Sequence, residues 1–77
     1  MQESGMIIME FKLRGEYVAL CDLLKLTGIA DSGGQGKIMI ANGEVTVDGL
    51  PESRKTAKIR ANQTVRCLGR NVLVVAG

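Results

Sequence analysis

A chain of 77 residues has room for one domain, and its core is marginal because small folds bury a smaller share of their surface. It has no histidine and two cysteines, Cys21 and Cys67, which removes the usual neutral-pH base and leaves too few ligands for a structural zinc site. The net charge of +2 is unevenly spread: residues 1–52 hold four bases against all eight acids, −4, whereas residues 53–77 hold Arg54, Lys55, Lys58, Arg60, Arg66 and Arg70 with no acid, +6.

In chain order, residues 1–8 read as a loose tail and 9–77 as the domain. Met6 to Met9 is too short for a signal-peptide core, and Val72 to Ala76 is far short of a membrane span, so the cytosol is the expected compartment. A short strand is expected around Glu10 to Leu13, followed by a turn at Arg14-Gly15-Glu16. Leu20, Leu23, Leu24 and Thr27 then fall at helical spacing, with Asp22 and Lys25 on the other side. This predicts a helix over 20–27, closed by Gly28 in the C′ position. Ile29-Ala30 is an apolar link that tucks under the second helix.

Ser32 is a good N-cap for that second helix, expected over 33–41, and Gln35 stands where a capping-box side chain reaches back. Gly36, Met39 and Ile40 are expected against the first helix, with Lys37 outward and Ile38 at the boundary. Glycine inside a helix costs about 0.5–1 kcal/mol relative to alanine, so Gly33, Gly34 and Gly36 need a reason. Close approach of the two helices is one reason at Gly36. A helix N-terminus open to a phosphate is the other, at the backbone of Ser32, Gly33 and Gly34, although the spacing is not that of a P-loop.

Asn42-Gly43 stops the second helix. Glu44 to Val47 alternates as a strand and Asp48-Gly49 is a hairpin turn. Pro51 has no N–H to offer a central strand. A further strand is expected near Thr56 to Ile59. Ala61-Asn62-Gln63 is a turn, and Thr64 to Leu68 with Asn71 to Val75 form a last hairpin around Gly69-Arg70. The predicted core is Leu20, Leu23, Leu24, Met39, Ile40, Val45, Val47, Ile59, Val65 and Val74.

The inventory does not suit an enzyme. Cys21 has no activating histidine, the acids are scattered, and a chain this short offers little room for a deep pocket. No catalytic residue, metal site, cofactor or small-molecule substrate is expected, and Cys21 and Cys67 read as unpaired thiols. The acid-free basic segment instead favours a polyanionic partner. Phe11 and Tyr17 are the only aromatics, too few for binding by serial base stacking. Structured or duplex RNA read by backbone and shape fits better, though charge alone does not separate RNA from DNA.

The ordered series Leu20, Leu23, Leu24, Gly28, Ser32, Ile40, Gly43, Val45, Val47, Asp48, Gly49 resembles the S4 RNA-binding domain. With Ser32-Gly33 opening the second helix and Glu52-Ser53-Arg54 after the turn, it is most similar to small stand-alone bacterial S4-like proteins of the YbcJ type. The resemblance implies an α+β domain of S4-like (αL) fold, with a two-helix hairpin packed on a small, mostly antiparallel sheet. It also implies that the helical hairpin and the following β segment share one surface, gathering Lys25, Lys37, Arg54, Lys55 and Lys58 as the RNA-binding residues. The implied partner is structured RNA of the ribosomal or transfer RNA class, bound in association with the ribosome by a monomer and without membrane contact. The chain departs from the wider pattern at Gly33, where many S4 domains carry arginine, and at Cys21, where an acid is frequent. A protein-interaction adaptor is the alternative reading.

Overall fold

The structure, a computed structural model, describes residues 7–77. The six residues before them, which make up most of the expected tail, lie outside the described residues. Strand β1 (Ile7–Lys12) starts three residues earlier than the sequence suggested. Its alternation sets Met9 and Phe11 against the core, while Ile8, Glu10 and Lys12 are exposed.

A two-residue strand β2 (Val18–Ala19) leads directly into helix α1 (Leu20–Leu26). Leu20, Cys21, Leu23 and Leu24 form its buried stripe, as the spacing predicts. Thr27 ends the helix by donating its hydroxyl to the Leu23 carbonyl at 2.8 Å. Gly28, at φ 80°, donates its N–H to the Lys25 carbonyl, a left-handed conformation that glycine adopts without a Cβ penalty. Helix α2 (Gly33–Ala41) begins at Ser32, whose hydroxyl oxygen accepts from the Gln35 N–H at 3.1 Å. Among the described hydrogen bonds, none returns from the Gln35 side chain, so half of the capping box is formed.

The two helices meet at Gly36. A Cβ there would lie 2.9 Å from the Cys21 carbonyl oxygen and 3.5 Å from the Leu24 Cβ. Contact that close between backbones is open only to glycine. Gly34, by contrast, would meet nothing nearer than the Ser32 hydroxyl oxygen at 3.8 Å.

Strands β3 (Val45–Val47), β4 (Leu50–Pro51), β6 (Thr64–Cys67) and β7 (Arg70–Val75) join β1 in a five-stranded sheet, ordered β1-β7-β6-β3-β4. All its pairings are antiparallel except β1 with β7. Pro51 lies on the edge strand, where a missing N–H is tolerated. Strand β5 (Lys58–Ile59) falls within the strand expected near Thr56 to Ile59 and pairs with β2 in a separate ribbon; β2 and this pairing were not expected, because a two-residue strand carries no periodicity. All ten predicted core residues are buried, joined by Leu13, Ala30, Cys67 and Val72 among others.

The last hairpin turns at Leu68-Gly69, not at Gly69-Arg70. Both residues take positive φ, 52° and 80°, the conformation of a two-residue turn whose twist suits the flanking strands. Leucine is a poor left-handed residue, so local propensity does not favour this turn. Register decides it: Val65 opposes Val72, both fully buried, and a slip by one residue would turn these side chains out of the core.

Two glycines of α2 give opposite expectations. Gly34→Ala should raise stability by at most about 0.5–1 kcal/mol, since it replaces a first-turn helix glycine whose Cβ would meet nothing closer than ordinary contact. Gly36→Val should lower it by about 2–3 kcal/mol through overpacking against the α1 backbone. Urea unfolding of the two variants beside wild type measures both.

Candidate nucleic-acid interface

The first N–H groups of a helix have no intrahelical partner, and Ala19 supplies no side-chain cap to α1. The basic segment fills this gap with its backbone. Leu20 donates its N–H to the Ala57 carbonyl at 2.9 Å, and Cys21 to the Lys55 carbonyl at 3.1 Å. Ala57 and Ile59 are buried, which sets Lys58 outward between them; Lys55 is exposed as well. Cys21 is thus a junction: its N–H holds the Lys55 segment and its carbonyl faces Gly36 of α2.

All five expected contact residues are exposed. Lys37 follows Gly36 directly, so Lys37 and Lys55 stem from the backbones that meet at Cys21. Lys25 lies in the last turn of α1, about 6 Å along the axis from Cys21 at 1.5 Å per residue. Arg54 is not free. Its Nε and a terminal nitrogen grip the two oxygens of Glu52 at 3.0 and 3.1 Å, and its N–H also donates to Glu52 at 3.0 Å. The side-chain hydrogen bonds to Arg54 hold the Glu52 carboxyl below its ordinary range and raise the Arg54 guanidinium. Lys58 leans over the Tyr17 ring, its Nζ 5.1 Å from the centroid, and Arg60 joins it with its Cζ at 5.7 Å. No pattern in the sequence marks this grouping, because the three residues meet only across the β2–β5 ribbon.

The space in front of Gly33 at the start of α2 is open, and Gly34 and Ser32 are exposed. Arg66 lies elsewhere, on the sheet face away from the core, in a groove of about 710 Å³ that it shares with Glu44, Asp48 and the buried Asn71. The carboxylates make that groove a poor match for a polyanion. Among the described residues, no three His, Cys, Asp or Glu side chains are grouped to hold a metal, and no helix is long and apolar enough to cross a membrane. Cys21 and Cys67 are free and buried. Burial pushes the Cys67 thiol up, with help from Glu44 and opposition from Arg70.

The S4 domain profile matches residues 11–75. The chain belongs to the S4 domain family. YbcJ of Escherichia coli strain K12, named as a proposed RNA-binding protein, is 58% identical over 60 residues, covering 78% of this chain and 86% of that one. YbcJ of Shigella flexneri matches to the same extent. The solution structure of E. coli YbcJ, described as carrying an αL motif involved in RNA binding, superposes with a TM-score of 0.67 at 49% identity, covering 99% of this chain and 95% of that one. Ribosomal protein S4e of Thermoplasma acidophilum shares the fold at a TM-score of 0.57 and 24% identity, covering 75% of this chain and 31% of that one.

Two measurements test this chemistry. The Glu52 pKa is depressed on folding, so the Glu52–Arg54 clip is present at neutral pH and is lost as pH falls through the folded-state value. An NMR titration should give Glu52 a midpoint below the ordinary glutamate range, and Arg54→Ala should restore it. Both thiols should resist alkylation at neutral pH until the chain unfolds, because both are buried, and at Cys67 burial also disfavours the reactive thiolate. Mass spectrometry of native and denatured protein after iodoacetamide checks this; a native two-hydrogen mass loss or a stoichiometric zinc adduct would contradict it.

Proposed function

We propose that this domain binds structured RNA, of the ribosomal or transfer RNA class, without catalysing a reaction. The contact is an exposed basic surface comprising Lys25, Lys37, Arg54, Lys55 and Lys58, with the backbone at Ser32, Gly33 and Gly34 available to a phosphate. The observation that carries this reading is the acid-free basic segment from Ser53 onward, bonded by its backbone to the first turn of α1 beside Gly36 and Lys37. Membership in the S4 domain family and the RNA-binding description of the YbcJ structure support it.

The cations have different tasks. Lysines act as mobile point charges, whereas an arginine fork can take a phosphate bidentately. Arg54 must release Glu52 or bind with its remaining donors, so Glu52 tempers its contribution. The reading also takes the domain to be monomeric and cytoplasmic, with the expected start at residue 9 moved back to Ile7, where β1 begins.

Binding should fall steeply with salt. With about four phosphates neutralised, log K should fall against log salt with a slope of about −3 to −4, taking about −0.7 to −0.9 per contact. Arg54→Ala combined with Lys58→Ala should flatten the slope by about one to two units and leave the fold intact. A salt titration on a structured RNA, with circular dichroism of both proteins, tests this. Unchanged slope and affinity in the double variant would remove the basic surface as the site. Absence of binding by wild type at low salt would make the protein-interaction adaptor the better reading.

A further inference from the structure

We infer that Tyr17, Lys58 and Arg60 form a platform for a single unpaired nucleotide, with the base stacked on the Tyr17 ring and its phosphate held by the two cations. The inference rests on the RNA-binding reading and narrows its target to structured RNA that presents an unpaired nucleotide beside a helix.

The β2–β5 ribbon builds the platform. Val18 opposes Ile59 and Ala19 opposes Lys58, so one step beyond the ladder Tyr17 comes opposite Arg60. Ile59 is buried and Val18 packs on the core. Alternation therefore sends Lys58 and Arg60 to the outer side, where Tyr17 stands. Tyr17 is 46% exposed, although most of a tyrosine is apolar surface. The other aromatic, Phe11, is packed against the core, so the surface offers one ring and accommodates one base.

The free protein covers that ring with cations, Lys58 Nζ at 5.1 Å and Arg60 Cζ at 5.7 Å from the centroid. A cation over an exposed ring is the weaker contact and a stacked base the stronger. A nucleotide carries both partners that the trio lacks. Its phosphate draws the two cations off the ring, and its base takes the vacated face. The ribbon also ties the platform to the basic segment, since Ala57 and Lys55 are bonded to α1 immediately after β2. A phosphate track along Lys55 and Lys58 thus ends at an aromatic ring.

The chain has one tyrosine and no tryptophan, so its intrinsic emission reports on Tyr17 alone. The full chain is titrated with two RNAs: a hairpin with an unpaired loop, and a blunt duplex of the same stem. Tyr17 emission should be quenched by the hairpin and little changed by the duplex. Against labelled hairpin, Tyr17→Leu should bind about 5- to 140-fold more weakly, the range for loss of one stacked base. Tyr17→Phe should stay close to wild type, and the salt slope of Tyr17→Leu should be unchanged because the lost contact is not ionic. A purely structural role for Tyr17 predicts weaker thermal stability with no quenching. Hairpin binding with unaltered emission, or Tyr17→Leu binding as tightly as wild type, overturns the platform and leaves the basic surface standing. Failure of both RNAs to bind at low salt removes the basic surface and the platform with it.

Discussion

The arrangement of this domain depends on the contact between Gly36 and the backbone of Cys21. A side chain of any size at position 36 would push α2 away from α1, because the Cys21 carbonyl would stand 2.9 Å from the new Cβ. The same Cys21 donates its N–H to Lys55. One residue thus fixes the spacing of the helix pair on one side and anchors the basic segment on the other. Conformational freedom given up at a helix-interior glycine is exchanged for backbone proximity that larger residues do not permit.

That junction explains why a seven-residue helix with no side-chain N-cap is tolerated. Short helices are marginal on their own, and α1 relies on a buried leucine stripe and on carbonyls from a segment more than 30 residues away in sequence. The polar requirement of a helix terminus and the placement of Lys55 are satisfied by the same hydrogen bond. The exposed cations are consequently carried by ordered backbone, not by a free tail. Glu52 adds a further constraint, since it is the one acid among the described residues that grips an expected contact residue, Arg54.

The sheet separates two surfaces of different chemistry. Its inner face, with Val45, Val65, Val72 and Val74, is covered by the helices. The outer groove mixes Arg66 with Glu44 and Asp48, so the basic segment, residues 53–77, does not become one uniform surface. Strand alternation divides it: Lys58 and Arg60 turn outward from the β2–β5 ribbon, while Arg66 turns outward from the main sheet. The formal +6 of residues 53–77 therefore overstates what any one polyanion can meet.

The sequence alone determined both helices, the glycine stops, the Asp48-Gly49 turn and the core, because these obey local rules: helical spacing of Leu20, Leu23 and Leu24, the Ser32 cap, and alternation at Val45 and Val47. The five cations, Lys25, Lys37, Arg54, Lys55 and Lys58, are gathered by the resemblance to the S4 pattern, and all five are exposed. Tertiary structure alone decided the rest. The Leu68-Gly69 turn prevails over poor local propensity because the Val65–Val72 register outweighs it. A strand near Thr56 to Ile59 is expected and β5 lies within it, but β2 is too short to show a period, and the pairing of the two was decided only by the fold. The Tyr17, Lys58 and Arg60 grouping and the capping of α1 by Lys55 and Ala57 join residues about 40 positions apart. Sequence periodicity reports which face of an element is apolar, whereas which polar groups meet is decided only when the backbones have packed.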